Sequence, residues 1–290
     1  MGTVQNEGKK QRVALVTDST SDITPELVSR TGVTVVPLSV NIGNEVLKDR
    51  IDITTDELFR RIAGGAGMPS TSQPSPADFE AVYQKLLETH DHVLSMHIAS
   101  RLSGTAQSAT LAAKTFPGKV TAFDSHLATG GLTLMVERAA RMLESGSSLQ
   151  DVLRALEVVK AKGTIRFTVG TLEYLKKNGR IGGARALLGG ILNVKPLLTF
   201  EKNELTPGGR PRGNARALAE TVEAVRQYVA ANGPSRAIYI YTSDPAGVQP
   251  LREQAAALGV QEVAVLQTGT VIAAHIGPDA YGICLEPSEV

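Results

Sequence analysis

Val13-Ala14-Leu15-Val16-Thr17-Asp18-Ser19-Thr20-Ser21-Asp22 is a short apolar run that stops abruptly in hydroxyls and carboxylates. Val13–Thr17 lacks the apolar/polar alternation of a half-exposed strand, so it reads as a strand covered on both faces, as in a parallel sheet. Similar runs recur at Thr34–Val40, His92–His97, Val120–Asp124, Ile165–Gly170, Ala237–Tyr241, Val263–Gln267 and Tyr281–Leu285. Between them lie stripes with the 3.6-residue helical period. They are Phe79/Val82/Tyr83/Leu86/Leu87, Leu132/Val136/Ala139/Leu143, Leu149/Val152/Leu156/Val159, Leu218/Val222/Val225/Val229 and Val248/Leu251/Ala255/Leu258. Strands alternating with helices predict an α/β protein with mainly parallel sheets flanked by helices. Two segments break the rhythm as hairpins: Gly43-Asn44 within Asn41–Asp49, and Lys202-Asn203 within Leu197–Thr206.

Length sets the domain count. At ~150 residues per domain, 290 residues predict two. Lys160-Ala161-Lys162-Gly163 separates a helix from a strand and marks the boundary. Residues 1–11 are expected to be a disordered tail, 12–161 an N-terminal α/β domain and 162–290 a C-terminal one. Lys plus Arg is 30 and Asp plus Glu 29, so a net charge of +1 offers no field to hold nucleic acid. The longest uncharged runs, Val263–Pro278 and Ile62–Ala77, contain Pro and Gly and fall short of the ~20 residues a membrane span needs, so no stable membrane insertion is expected. A single Cys, Cys284, excludes an intrachain disulfide and a Cys-based zinc cluster. MGTVQNEGKKQR has no apolar segment to serve as a secretory signal, and a cytoplasmic address is expected.

Ligands of open parallel sheets bind beyond the carboxyl ends of the strands. The segment after His92–His97 runs Ser100-Arg101-Leu102-Ser103-Gly104-Thr105 into a helix. Ser103 stands where an N-cap would, and Gly104 would let a ligand approach the backbone. A helix start suits a carboxylate or phosphate. Gly64–Pro74 contains Thr71-Ser72-Gln73-Pro74, a loop rich in hydrogen-bonding side chains, or else a linker between helices. Arg180, after Asn178-Gly179, can fork onto an oxyanion or be a plain surface cation. His275 sits in an uncharged run, as a site residue or a satisfied core histidine. No phosphate-binding P-loop, nucleophile elbow, zinc-protease motif or dinucleotide fingerprint is present, and no metal site is expected.

Five motifs in order resemble the DegV family over about Arg12–Glu286. They are Asp18-Ser19-Thr20; Thr71-Ser72-Gln73-Pro74; Leu102-Ser103-Gly104-Thr105 with Ser108-Ala109; Asn178-Gly179-Arg180-Ile181; and His275-Ile276-Gly277-Pro278. The resemblance implies two α/β domains and a long-chain fatty acid bound at their interface, with no other cofactor. It implies a carrier rather than an enzyme, presenting the carboxylate to a fatty acid kinase subunit for phosphorylation to acyl phosphate. By position, Thr71 and Ser103 are the implied carboxylate donors, and Arg180 and His275 complete the polar network. Arg212, in Pro211-Arg212-Gly213-Asn214, is similar to the position facing the kinase. Asn178 and Asp279 depart from the frequent Gly at their positions, and Asp279, if close, would raise the His275 pKa. Two other readings remain open on the residues. One is a serine hydrolase, with Ser103 or Ser19 as nucleophile, His275 as base and Asp18 or Asp124 as orienting acid. The other is a phosphate-ligand protein with Ser103-Gly104-Thr105 as an anion cradle.

Overall fold

The computed structural model describes residues 11–188 and 194–289. The expected tail therefore lies outside the described residues except for Gln11, which is exposed. The first sheet forms as the apolar runs predict. Strands β1 (Val13–Asp18), β2 (Thr34–Val36), β6 (His92–His97) and β7 (Val120–Asp124) lie in the order β2-β1-β6-β7, all parallel. Helices α1 (Pro25–Thr31), α3 (Pro76–Leu87) and α4 (Thr105–Ala113) lie between them in the chain. Their starts are written locally. Thr24 caps α1 with Pro25 at its first position, and Ser75 and Asp78 close a capping box at α3.

The run expected as one strand from Thr34 to Val40 divides. Pro37 lacks a ladder donor, and beyond it β3 (Ser39–Ile42) leaves the first sheet. A small antiparallel sheet, β4-β3-β5, forms from β3, β4 (Glu45–Lys48) and β5 (Ser70–Ser72). The Gly43-Asn44 hairpin joins the first two, with Gly43 at φ 59°. Strand β5 falls in the segment expected as a loop. Backbone pairing of Thr71 to Val40 fixes it there. Helix α2 (Thr55–Ala63) connects β4 to β5.

After α5 (Thr129–Glu144) and α6 (Leu149–Lys162) comes the second sheet. It comprises β8 (Thr164–Thr168), β9 (Leu197–Glu201), β10 (Glu204–Gly209), β11 (Ser235–Tyr241), β12 (Gln261–Gln267) and β13 (Tyr281–Pro287), in the order β10-β9-β8-β13-β11-β12. Here the parallel expectation gives way. Only β11 and β12 pair in parallel; the other four pairings are antiparallel. The apolar runs are continuous because helices cover the sheet, not because the strands are parallel. The Lys202-Asn203 hairpin forms as expected, with both residues at positive φ as a type I′ turn requires. The remaining helices are α7 (Glu173–Lys177), α8 (Asn214–Asn232), α9 (Gln249–Ala257) and α10 (Thr270–Ile276).

Helix α5 packs against both large sheets, touching β1 and β6 on one side and β11 and β13 on the other. Gly130 makes the close approach possible, since a Cβ there would lie 2.5 Å from Ile238 Cγ2. One hydrophobic core therefore runs from Leu15, Leu94 and Met96 through Leu132 and Met135 to Ile165 and Ile240. Buried charges clamp the same joint. Arg138 and Arg236 each lie 3.0 Å from Glu286 Oε1, and Arg236 also pairs with Glu137. Burying such a group uncompensated is expensive, so the network ties α5 firmly to β11 and β13.

Candidate functional site

A cavity of about 340 Å³ opens where the two large sheets meet across α5 and α10. That lies within the ~300–1,000 Å³ typical of small-molecule sites. Most of its wall is aliphatic or aromatic, including Ile98, Leu102, Ile165, Phe167, Phe200 and Ile240. Polar groups are few. Thr71, Ser103, Arg180 and His275, drawn from four distant parts of the sequence, all line it.

Those four converge through their contacts. Thr71 Oγ1 lies 2.9 Å from His275 Nε2, joining β5 to α10. Arg180 Nε donates to the Leu102 carbonyl at 3.2 Å and its Nη1 to the Asn178 carbonyl at 2.8 Å. This holds the guanidinium beside the residue that precedes Ser103. Ser103 Oγ lies 2.9 Å from Thr105 Oγ1 and accepts the Thr105 N–H at 3.3 Å. The residue at the start of α4 is Gly104, not Ser103, so Ser103 caps from one position further out than expected. Gly104 also has a different purpose from the one expected. A Cβ there would fall 2.2 Å from Gln73 Oε1, so the small residue admits Gln73, which donates to Ser108 Oγ at 2.9 Å.

Spare hydrogen-bonding capacity marks the site. Among the described residues Arg180 forms no salt bridge, and its two bonds go to neutral carbonyls. His275 Nδ1 is sealed from solvent and has no hydrogen-bond partner. Burial, reinforced by the Arg180 charge, pushes the His275 pKa down to about 4, so the ring is neutral at neutral pH. The expected upward pull from Asp279 is absent. Its side chain packs instead against Gly170, 3.3 Å from where a Cβ would sit. Asn178, noted only as a departure from a frequent Gly, donates to the Ala274 carbonyl at 2.9 Å and ties the Arg180 turn to α10.

The hydrolase constellation does not assemble. His275 bonds Thr71, Ser103 bonds Thr105, and Ser19 Oγ accepts the Leu38 N–H at 3.1 Å. Asp124 Oδ1 accepts the Ser100 and His126 amides, each at 3.2 Å. Asp18 is fully buried and faces a different histidine. Its Oδ2 accepts from His97 Nδ1 at 3.0 Å and Ile98 N at 3.1 Å, and its Oδ1 accepts from Thr20. His97 Nε2 meets Ser95 Oγ at 2.6 Å, and Tyr83 donates to that same oxygen at 2.8 Å. Ser95 is itself fully buried, and neither it nor His97 lines the cavity. Arg212 is exposed, lies outside the cavity wall and pairs through its backbone with Val194.

Among the described residues no group of three His, Cys, Asp or Glu could hold a metal ion, and no helix is long and apolar enough to cross a membrane. Comparison with known proteins then decides the family. Residues 12–288 match the family described as "Uncharacterised protein, DegV family". The chain belongs to the DegV family. A DegV domain-containing protein of Deinococcus radiodurans is 45% identical over 279 residues, covering 95% of this chain and 98% of that one. A DegV-family structure from Thermus thermophilus, described as fatty-acid binding, superimposes with a TM-score of 0.92 at 46% identity, covering 95% of this chain and 99% of that one. A stearic-acid-binding protein from Eubacterium ventriosum gives 0.87 at 29% identity, with 94% and 97% covered. Fold and family thus agree with the resemblance carried by the five motifs.

Proposed function

We propose that this DegV protein binds one long-chain fatty acid, with the acyl chain in the apolar cavity and the carboxylate at Thr71, Ser103, Arg180 and His275. The observation that carries the reading is a mostly apolar cavity with a few hydroxyls and one cation, free of ion pairs among the described residues, gathered in its wall. A buried carboxylate needs several donors or a cation. Two hydroxyls, a guanidinium and a neutral imidazole meet that need. The tail supplies the energy: at ~0.8 kcal/mol per methylene, a sixteen-carbon chain gains about 10 kcal/mol gross before the entropy of immobilising it. The solved relatives described as fatty-acid binding support the same reading.

The protein is a carrier in this account, and chemistry on the carboxylate belongs to a kinase partner. Support comes from charge. Lys176–Arg216 holds nine Lys or Arg against only Glu201 and Glu204, in a chain of net charge +1. Arg212 lies in that segment, exposed and without an ion pair among the described residues. An exposed cation in a basic stretch of chain suits an acidic protein surface and speeds encounter with it. The account is tested by giving purified protein equimolar palmitate or oleate, then adding a bacterial fatty acid kinase and ATP. Saturable one-to-one binding and acyl phosphate formed only with the loaded carrier support the proposal. Absence of binding sinks it. Binding without phosphorylation removes the kinase role alone.

A further inference from the structure

Two carboxylates lie buried against the start of the helix that carries His275. Asp22 is 0% and Asp49 1% exposed. Asp22 Oδ1 accepts the Gly269 N–H at 2.7 Å, and Asp49 Oδ1 accepts the Thr270 N–H at 2.7 Å and its hydroxyl at 2.6 Å. Asp22 Oδ2 accepts from Thr129 Oγ1 at 2.6 Å. Asp22 Oδ1 and both Asp49 oxygens lie within 3.1 Å of the point where a Gly269 Cβ would sit, so only glycine admits the pair. Asp49 Oδ2 has no well-formed hydrogen bond, although the nearby Ser19 side chain favours the Asp49 charge. The nearby cation, Arg50, stands 4.0 Å from Asp22 Oδ1 and donates instead to the Asp22 and Gln267 carbonyls. Two anions this close, both out of water and sharing the single cation Arg50, are unfavourable, and a proton retained by one of them relieves the conflict.

We infer that Asp22 and Asp49 form a proton-holding clasp that positions α10, and with it His275, against the ligand cavity. The clasp borders the cavity directly: Thr129, Val271, Ile272 and His275 all line it. The inference rests on the fatty-acid reading only for what the cavity holds. The other charged or titratable groups around the clasp are few. Asp56 on α2 takes its bond from Gln267 at 3.0 Å. Cys284 lies behind Asp22, and burial keeps its thiol protonated throughout the neutral range. His275, at the far end of α10, is neutral above its lowered pKa. Burial pushes the Asp22 pKa up to about 7, and the Asp49 charge adds to the rise; Asp49 is raised in the same direction. A carboxyl that holds its proton only while clasped favours the clasped state at low pH. That advantage is lost as pH rises from the ordinary carboxylate value of 3.8 through about 7, and is constant above.

The test compares wild type with Asp22→Asn and Asp49→Asn. The carboxamide introduced by Asp22→Asn can accept from Gly269 and donate to Thr129, so it copies the protonated clasp. The readouts are the palmitate dissociation rate between about pH 5.5 and 8, and the side-chain ¹³C shift of labelled aspartate. In wild type, dissociation is expected to quicken roughly tenfold from pH 5.5 to 7.5 and then level off. Asp22→Asn should stay at the slow rate throughout, and Asp49→Asn should move the midpoint to lower pH. A wild-type profile retained in Asp22→Asn, or both carboxyls titrating below pH 5, overturns the clasp. If wild type takes up no palmitate at any pH, the fatty-acid reading fails instead. The aspartate titration and exchange of the α10 amides then decide the clasp without any ligand.

Discussion

Two histidines of this protein each meet a hydroxyl side chain and a charged neighbour, and they do opposite things. His97 is packed among Asp18, Ser95 and Tyr83, with Phe79 edge-on at 4.9 Å, and every polar atom named there has a partner. His275 meets Thr71 beside Arg180, with an unpartnered nitrogen, a guanidinium free of ion pairs among the described residues, and a cavity alongside. The first cluster is closed and its chemistry is spent on holding loops: Asp18 fixes the turn after β1 and the Ile98 amide after β6. The second keeps capacity for a guest. Residue types alone would choose the wrong one, since His97 has the better Ser-His-Asp geometry. Spare capacity facing a cavity separates the two.

That contrast breaks most easily at Asp18. Asp18→Ala leaves the His97, Ile98 and Thr20 donors without their acceptor in a dry interior, and on the order of 3–5 kcal/mol of folding stability should be lost in denaturant titrations. In the open cluster, changes should move binding and spare the fold. Thr71→Val removes the His275 partner and a proposed carboxylate donor. Palmitate affinity should fall by about 1–2 kcal/mol in calorimetry, while the unfolding midpoint barely shifts. Ser103→Ala should cost about 1 kcal/mol of binding, because the lost hydroxyl is already shared with Thr105. The depressed His275 pKa gives a signed pH effect. The unfolded ring takes a proton below about 6.5 and the folded ring does not until about 4, so stability contributed by His275 is lost as pH falls through that window. His275→Gln should remove this component of the stability–pH curve. Arg212→Glu should be the mildest. Stability should stay within ~0.5 kcal/mol and palmitate binding should be unchanged, with the loss confined to phosphorylation by the kinase.

Much of the first sheet is legible because helix-covered parallel strands write continuous apolar runs, and Val13–Thr17 and His92–His97 are both of that kind. The second sheet reads with the wrong strand direction because the same runs arise in any covered strand. Thr34–Val40 reads as one strand although Pro37 divides it. Strand β5 has no apolar signature at all. Ser70-Thr71-Ser72 is a strand only because β3 pairs with it, a contact distant in sequence. The site residues are legible as motifs, but their convergence is not. Nothing local to Thr71 announces His275. The lining residues Phe167, Phe200 and Ile240 carry no motif and read as ordinary core. Asp22 and Asp49 are also silent, because their significance lies in Gly269 and Thr270 across the fold.

The central claim is that the cavity holds a fatty acid, and its most direct test is native mass spectrometry of gently purified protein, followed by solvent extraction of whatever is bound. The account predicts one long-chain fatty acid per chain, exchangeable for added palmitate or oleate and lost or weakened in Thr71→Val. Protein that carries no fatty acid, and takes up neither palmitate nor oleate, would contradict it.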